Sequence, residues 1–169
     1  MSFEKIDVRA LPKSPVEMLA QDWALLSAGT AEKANTMTVS WGAIGEIWGK
    51  DAAFVFVRPQ RYTHEFLDAN ELFTLSFLGA GHKEVHSLCG SKSGRNLDKI
   101  TAAGLTLCML DGAPGFAQAQ HVLVCRKMAV QKIDPAGFLD AAIAENYPKQ
   151  DYHTVFIGEI VAAYANKIV

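Results

Sequence analysis

Two short cationic segments carry the side chains best suited to holding an anion. Arg58-Pro59-Gln60-Arg61-Tyr62-Thr63 places two guanidinium groups, a phenol and a hydroxyl within six residues. The segment falls where a strand is expected to give way to a helix. Arginine offers a planar fork of donors, threonine a hydroxyl, and a helix start its unpaired backbone N–H groups, a combination that suits a phosphate. The same residues would also serve as a solvated turn whose arginines pair with Glu65 or Asp68. The second segment is Gly90-Ser91-Lys92-Ser93-Gly94-Arg95-Asn96, running into Leu97-Asp98-Lys99. Its glycines let the backbone approach a ligand, and Ser93 or Asn96 is placed to cap the next helix. It lacks the spacing of a Walker loop, and the chain contains no G-x-G-x-x-G run. Two such islands in a mildly acidic chain point to one anionic small molecule bound locally.

A third segment, Asn35-Thr36-Met37-Thr38-Val39-Ser40-Trp41, sets amide and hydroxyl groups beside Met and Trp. Strand amides and hydroxyls can bond the polar edges of a flat heteroaromatic ring while the apolar side chains cover its face. The alternative is an amphipathic strand with Met37 and Trp41 in the core.

Other constellations carry less. His82 and His86 share a helical face with Cys89 one turn on, but Glu84 is one place away from the H-E-x-x-H position and no second ligand cluster is evident. A surface helix pair is expected there. Cys89 would be reactive only if exposed near Lys92 and Arg95; a small loop residue is the simpler expectation. No G-x-S-x-G elbow occurs. His153, in Asp151-Tyr152-His153, could donate a hydrogen bond or shuttle a proton at neutral pH, or serve structurally at the start of a strand. Glu159, in an otherwise apolar strand, is expected to point outward.

The elements needed to position these groups follow from periodicity. After a polar, proline-containing lead, Trp23 to Ala28 is an apolar run closed by Gly29-Thr30. Met37, Val39 and Trp41 alternate with Thr38 and Ser40, the period of a strand. Gly45 to Trp48, a turn at Gly49-Lys50-Asp51, and Ala53 to Val57 predict a hairpin. Thr63 to Asn70 reads as a helix with Thr63 able to cap it, Leu72 to Leu78 as a strand, and His82 to Leu88 and Leu97 to Ala103 as short helices flanking the polar loop Cys89 to Asn96. Leu105 to Leu110, a turn over residues 111–115, Val122 to Ile133 and Thr154 to Tyr164 predict the final β region, interrupted by a short helix over Pro135 to Glu145. Strands joined mainly by turns lack the alternating rhythm of a parallel sheet, so the expected fold is mainly β, an antiparallel barrel with short peripheral α-helices.

Composition bounds the function. The chain has 169 residues, 50% hydrophobic and 20% charged, with 16 basic against 18 acidic residues and a net charge of −2. One domain spanning 1–169 with a large core is expected. The charge balance argues against a nucleic-acid partner, since the broad basic face that phosphate backbones require is missing. Apolar runs fall far short of the ~20 residues of a membrane span, and the charged start does not resemble a signal peptide. A cytoplasmic protein is expected, with Cys89, Cys108 and Cys125 reduced and Cys108 and Cys125 in apolar strands.

Taken in order, Asn35 to Gly42, Val57 to Thr63, Phe73 to Phe77, Gly90 to Lys99, Tyr152-His153 and Ile157 to Ile160 resemble the flavin reductase-like family, which includes flavoredoxins. The R-P-x-R-Y-T and S-G-R-x-x-D-K segments carry most of the specificity. The chain departs at Asn96, where the family usually has Asp, which is expected to affect a helix cap more than ligand binding. The resemblance implies an FMN-binding split β-barrel of Greek-key topology, acting as a homodimer with the flavin near the subunit interface. It implies that Asn35, Thr36, Met37, Thr38, Ser40 and Trp41 line the isoalloxazine and ribityl chain. Arg58, Arg61, Tyr62 and Thr63 would hold the phosphate end, Ser91, Lys92, Ser93 and Gly94 would form a second binding loop, and His153 would approach the flavin as a catalytic group. The implied activity is hydride acceptance from NADH or NADPH with electrons passed to free flavin or a redox partner protein. The alternative is a flavoredoxin-type electron carrier without appreciable NAD(P)H turnover.

Overall fold

A computed structural model describes residues 2–167. Met1, Ile168 and Val169, the ends of the expected single domain, lie outside the described residues. Ten strands run in chain order: β1 (Phe3–Ile6), β2 (Ala24–Gly29), β3 (Ala34–Val39), β4 (Gly42–Ile47), β5 (Lys50–Val57), β6 (Leu72–Phe77), β7 (Leu107–Leu110), β8 (Ala113–Phe116), β9 (His121–Lys132) and β10 (Thr154–Asn166). Eight form one sheet in the order β3-β2-β6-β9-β10-β5-β4, with β1 added on β10, while β7 and β8 pair with each other. Every pairing is antiparallel.

The long strand β10 organises the sheet. One edge pairs with β9 from Thr154 to Ala165. Its other edge is divided between β5, over Thr154–Glu159, and β1, over Ala163–Asn166. Residues from opposite ends of the strand path share one core, with Val39 of β3 beside Val55 and Val57 of β5. The sheet therefore curls, as expected of an antiparallel split barrel. Gly158 sits where β10 shifts register against β9. A Cβ there would meet the Phe73 ring at 2.6 Å and Cys125 Cβ at 3.0 Å. Gly158→Ala is expected to destabilise the chain by ~1–3 kcal/mol through overpacking, read as a lower denaturation midpoint with an unchanged m-value.

Four short helices flank the sheet: α1 (Pro15–Glu17), α2 (Tyr62–Ala69), α3 (Lys83–Ser91) and α4 (Lys99–Ala102). Ser14 caps α1, which continues as a π-helical turn that buries Met18 and Leu19. The polar lead is thus structured, because β10 offers β1 a free edge. The β4–β5 turn lies at Trp48-Gly49, one residue earlier than expected, with positive φ at both positions; this is the geometry that matches strand twist. The expected turn over 111–115 contracts to Asp111-Gly112, and Ala113–Phe116 joins the ladder instead. The helix expected over Pro135 to Glu145 is replaced by two 3-10 turns, Pro135–Gly137 and Ala141–Asn146, capped by Asp134 and Asp140. Leu139 between them is fully exposed, so this stretch has no continuous apolar face to bury as a helix. Among the described residues no helix is long and apolar enough to cross a membrane.

Candidate functional site

The hydroxyl-bearing strand and both cationic segments meet at one place. Met37, Thr38 and Val39 at the end of β3, with Ser40 and Trp41 leading into β4, form one wall of a cleft of ≈180 Å³. Phe56 and Arg58 at the end of β5, Arg61 before α2, and His153 before β10 form the other. A smaller hollow of ≈110 Å³ adjoins it and includes Arg61, Tyr62, residues 90–94 and Lys99. Arg61 lines both, so the cleft and the cationic hollow are neighbours across that residue.

Hydrogen bonds fix this junction. The Thr38 hydroxyl donates to the His86 carbonyl at 2.7 Å, clamping β3 to α3. A Cβ on Gly90 would lie 3.5 Å from Thr38. Asn35 Nδ2 donates to the Thr63 hydroxyl at 2.7 Å, and a Cβ on Gly94 would approach Asn35 Oδ1 to 2.0 Å. At Gly94 only glycine lets the loop approach Asn35 of β3 this closely. The Thr36 hydroxyl is wholly buried and bonded to Ser27 and Leu26. Asn35, Thr36 and Thr63 thus join elements beneath the cleft, whereas Met37, Thr38, Ser40 and Trp41 line it. Thr63 does not cap α2: Arg61 is the N-cap residue and makes no side-chain cap bond.

The cations differ in what they already hold. Arg58 is paired with Asp151 at 2.7 Å and donates to the Asn146 carbonyl. Arg95 pairs with Glu65 and covers the Tyr62 ring at 4.7 Å, and Asp68 faces His64. The expected alternative of Arg58 or Arg61 bound to Glu65 or Asp68 does not occur. Ser91 bonds back to Ser87, and the Ser93 hydroxyl accepts from the Arg95 amide. Asp98, not Ser93 or Asn96, caps α4.

Arg61 and Lys99 stand apart. Both donate to one neutral group, the Cys89 carbonyl, at 3.3 and 3.1 Å. Among the described residues neither forms an ion pair. Lys99 is 3% exposed; burial and the neighbouring Arg61 push its pKa down to about 8. Burial also lowers the pKa of Arg61. A buried and a half-buried cation side by side without a carboxylate are costly unless an anion arrives. Lys99 was not among the candidate site residues. Its sequence signals are its place as the Lys that closes the S-G-R-x-x-D-K segment and a cation at the first helical position after an Asp cap, the wrong end of the helix dipole for a positive charge.

His153 is buried at 7% exposure. Its Nδ1 lies 2.8 Å from the Tyr147 hydroxyl, and its ring packs 5.1 Å from that of Trp41. Burial, helped by Arg58 and opposed by Asp151, lowers its pKa to about 4. The ring is neutral at neutral pH and carries no labile charge there. Since its folded pKa lies below the unfolded value of about 6.5, its contribution to stability is complete above that value. It is lost as the pH falls towards 4. His153→Gln is expected to reduce the loss of melting temperature between pH 6.5 and 4, measured against the wild-type chain.

Two expectations for α3 are corrected. His86 is 2% exposed rather than on a surface, and neither ring nitrogen has a partner among the described residues. No group of three or more His, Cys, Asp or Glu capable of holding a metal occurs among them. Cys89 is helical and buried, not in a polar loop, because α3 extends to Ser91. Burial raises its thiol pKa, against the pull of Lys99 and Arg61, so its thiol is suited to packing.

The family model of the flavin reductase like domain matches residues 17–168. The chain belongs to the flavin reductase-like family. Solved structures share the family's split barrel. An FMN-binding domain of a flavin reductases-like enzyme from Shewanella baltica OS155 is 18% identical with a TM-score of 0.70, covering 97% of this chain and 77% of its own. A flavoredoxin from Methanosarcina acetivorans is 24% identical with a TM-score of 0.67, covering 97% and 76%. The NADH:FAD oxidoreductase SgcE6 of Streptomyces globisporus C-1027, solved with NAD and FAD fragments, is 19% identical with a TM-score of 0.64, covering 87% and 76%. No curated protein matches the chain. These identities relate folds; the family membership rests on the domain match.

Proposed function

We propose that this chain binds FMN and acts as an oxidoreductase that takes electrons from NADH or NADPH and delivers them to free flavin or a redox protein. The observation that carries the reading is the uncompensated pair Arg61 and Lys99 at the point where the cleft opens into the cationic hollow. A dianionic phosphate supplies the charge these two groups lack, and the polar-edged wall of the cleft suits the ring attached to it.

The chain's own residues then divide the work. Arg61 and Lys99 neutralise the phosphate, with Lys92 and the Ser91, Ser93 and Gly94 loop around it. Thr38 and Ser40 offer hydroxyls to the ring edge, and Met37 and Trp41 supply apolar contact. Asn35, Thr36, Tyr62 and Thr63 hold the wall in place. Arg58, already neutralised by Asp151, flanks the ring end of the cleft beside His153, which meets the ring as a neutral group. When bound, the flavin supplies the two-electron chemistry, so no charged protein acid or base is required. Trp41, 47% exposed at the mouth of the cleft, suits coverage by the second subunit of a homodimer.

The purified chain should carry a yellow chromophore that releases as FMN and bleaches anaerobically with NADH or NADPH. Bound FMN that resists both nicotinamides but is reduced rapidly by a ferredoxin-like protein would identify an electron carrier instead. A chain with no affinity for FMN would overturn both.

A further inference from the structure

The segment between β9 and β10 builds an aromatic cluster against the cleft wall. Tyr147 stacks on Phe138 at 5.9 Å and packs against Tyr152 at 4.9 Å. The Arg58 guanidinium lies over its ring at 5.1 Å and is itself tied to Asp151. Tyr147 is 6% exposed. Its hydroxyl reaches one partner among the described residues, His153 Nδ1 at 2.8 Å.

That single contact allows two proton arrangements. If Nδ1 carried the imidazole proton, the phenol oxygen would accept it and the phenol hydrogen would be left buried without an acceptor, an unfavourable arrangement. If the phenol donates to a bare Nδ1, both groups are satisfied and the imidazole proton sits on Nε2. The imidazole nitrogen is also the stronger acceptor of the two. Trp41 and Phe56 hold the ring from the other side, at 5.1 and 6.4 Å. Among the described residues Nε2 bonds to no protein atom and is not one of the sealed, unpartnered atoms of the interior, so it is left to the cleft that His153 lines.

We propose that Tyr147 is a positioning residue that locks His153 in the Nε2-protonated tautomer. The ring thereby presents an N–H donor to an electron-rich acceptor, a carbonyl oxygen or ring nitrogen, of the heterocycle in the cleft. The identity of that heterocycle rests on the flavin reading above; the tautomer does not. Because the donor is neutral, it strengthens as its acceptor gains negative charge and adds no fixed charge to the oxidised ring.

Nitrogen-resolved NMR of the histidine rings in the full-length chain at pH 7 tests the lock. The wild-type spectrum should show His153 with protonated Nε2 and bare Nδ1. Tyr147→Phe keeps the aromatic packing and should lower the ratio of the two tautomers about fivefold, the effect of one neutral hydrogen bond of about 1 kcal/mol. It should also weaken riboflavin binding severalfold, since riboflavin has the ring without the phosphate. A wild-type proton on Nδ1 overturns the proposal even if the variant fails to fold. So does a variant that retains both the tautomer ratio and riboflavin affinity. Failure of the wild-type chain to bind any flavin, with Nε2 protonated, would instead overturn the functional reading.

Discussion

Arg61→Ala is expected to weaken FMN binding about tenfold to a hundredfold while leaving riboflavin binding nearly unchanged. The magnitude follows from losing one charge-assisted hydrogen bond, worth ~1.5–3 kcal/mol. The selectivity follows from where the charge sits. Arg61 forms no ion pair among the described residues and stands where the ring cleft meets the hollow that holds Lys99, so riboflavin, which ends short of the phosphate, should register its removal far less than FMN does. Arg58→Ala should behave differently. Its guanidinium is already neutralised by Asp151, and the substitution would release Asp151 and uncover Tyr147, affecting both ligands through the wall of the cleft. Isothermal titration of both variants with both ligands reads the difference directly. Equal losses for FMN and riboflavin in Arg61→Ala would place the phosphate elsewhere.

Affinity for FMN should fall about tenfold between pH 7 and 9, and Lys99→Met should abolish that fall. In the free chain Lys99 has a pKa of about 8. A bound dianion restores the ordinary preference for the charged form, so binding above pH 8 must also take up a proton. With the free pKa at 8, about one chain in ten retains the charge at pH 9, and the affinity declines in proportion. The phosphate remains dianionic throughout, since its second pKa is about 6. The stability of the free chain moves the opposite way. The folded pKa lies below the unfolded 10.5, so the cost of the buried charge is full below pH 8 and is relieved between 8 and 10.5. Riboflavin serves as the control and should show no comparable change. A parallel fall for riboflavin would assign the pH dependence to the ring or to the fold.

Both cationic segments and the hydroxyl-bearing strand were legible because arginine spacing, glycine placement and period-2 alternation are local signals. Their convergence was carried by the family resemblance, since no local rule brings β3, the start of α2 and the end of α3 together. Lys99 was legible as the end of the S-G-R-x-x-D-K segment but not as an anion-binding group, because that role lies in its burial near Arg61, which arises only in the folded chain. Tyr147 was hidden because the helix expected over Pro135 to Glu145 stopped short of it, whereas Asp140 caps a separate 3-10 turn that ends on Tyr147 and brings its hydroxyl to His153. The burial of His86 and Cys89 escaped notice for the converse reason. The polar composition suggested a surface helix over His82 to Leu88 and a polar loop from Cys89 to Asn96, but α3 runs on to Ser91 and Thr38 ties it to β3.

The most direct test is a crystal structure of the chain soaked or grown with FMN. The account predicts the phosphate within hydrogen-bond distance of both Arg61 and Lys99, and the ring between the Thr38–Trp41 wall and His153. A phosphate bound away from both cations, or a ring outside that cleft, would contradict it.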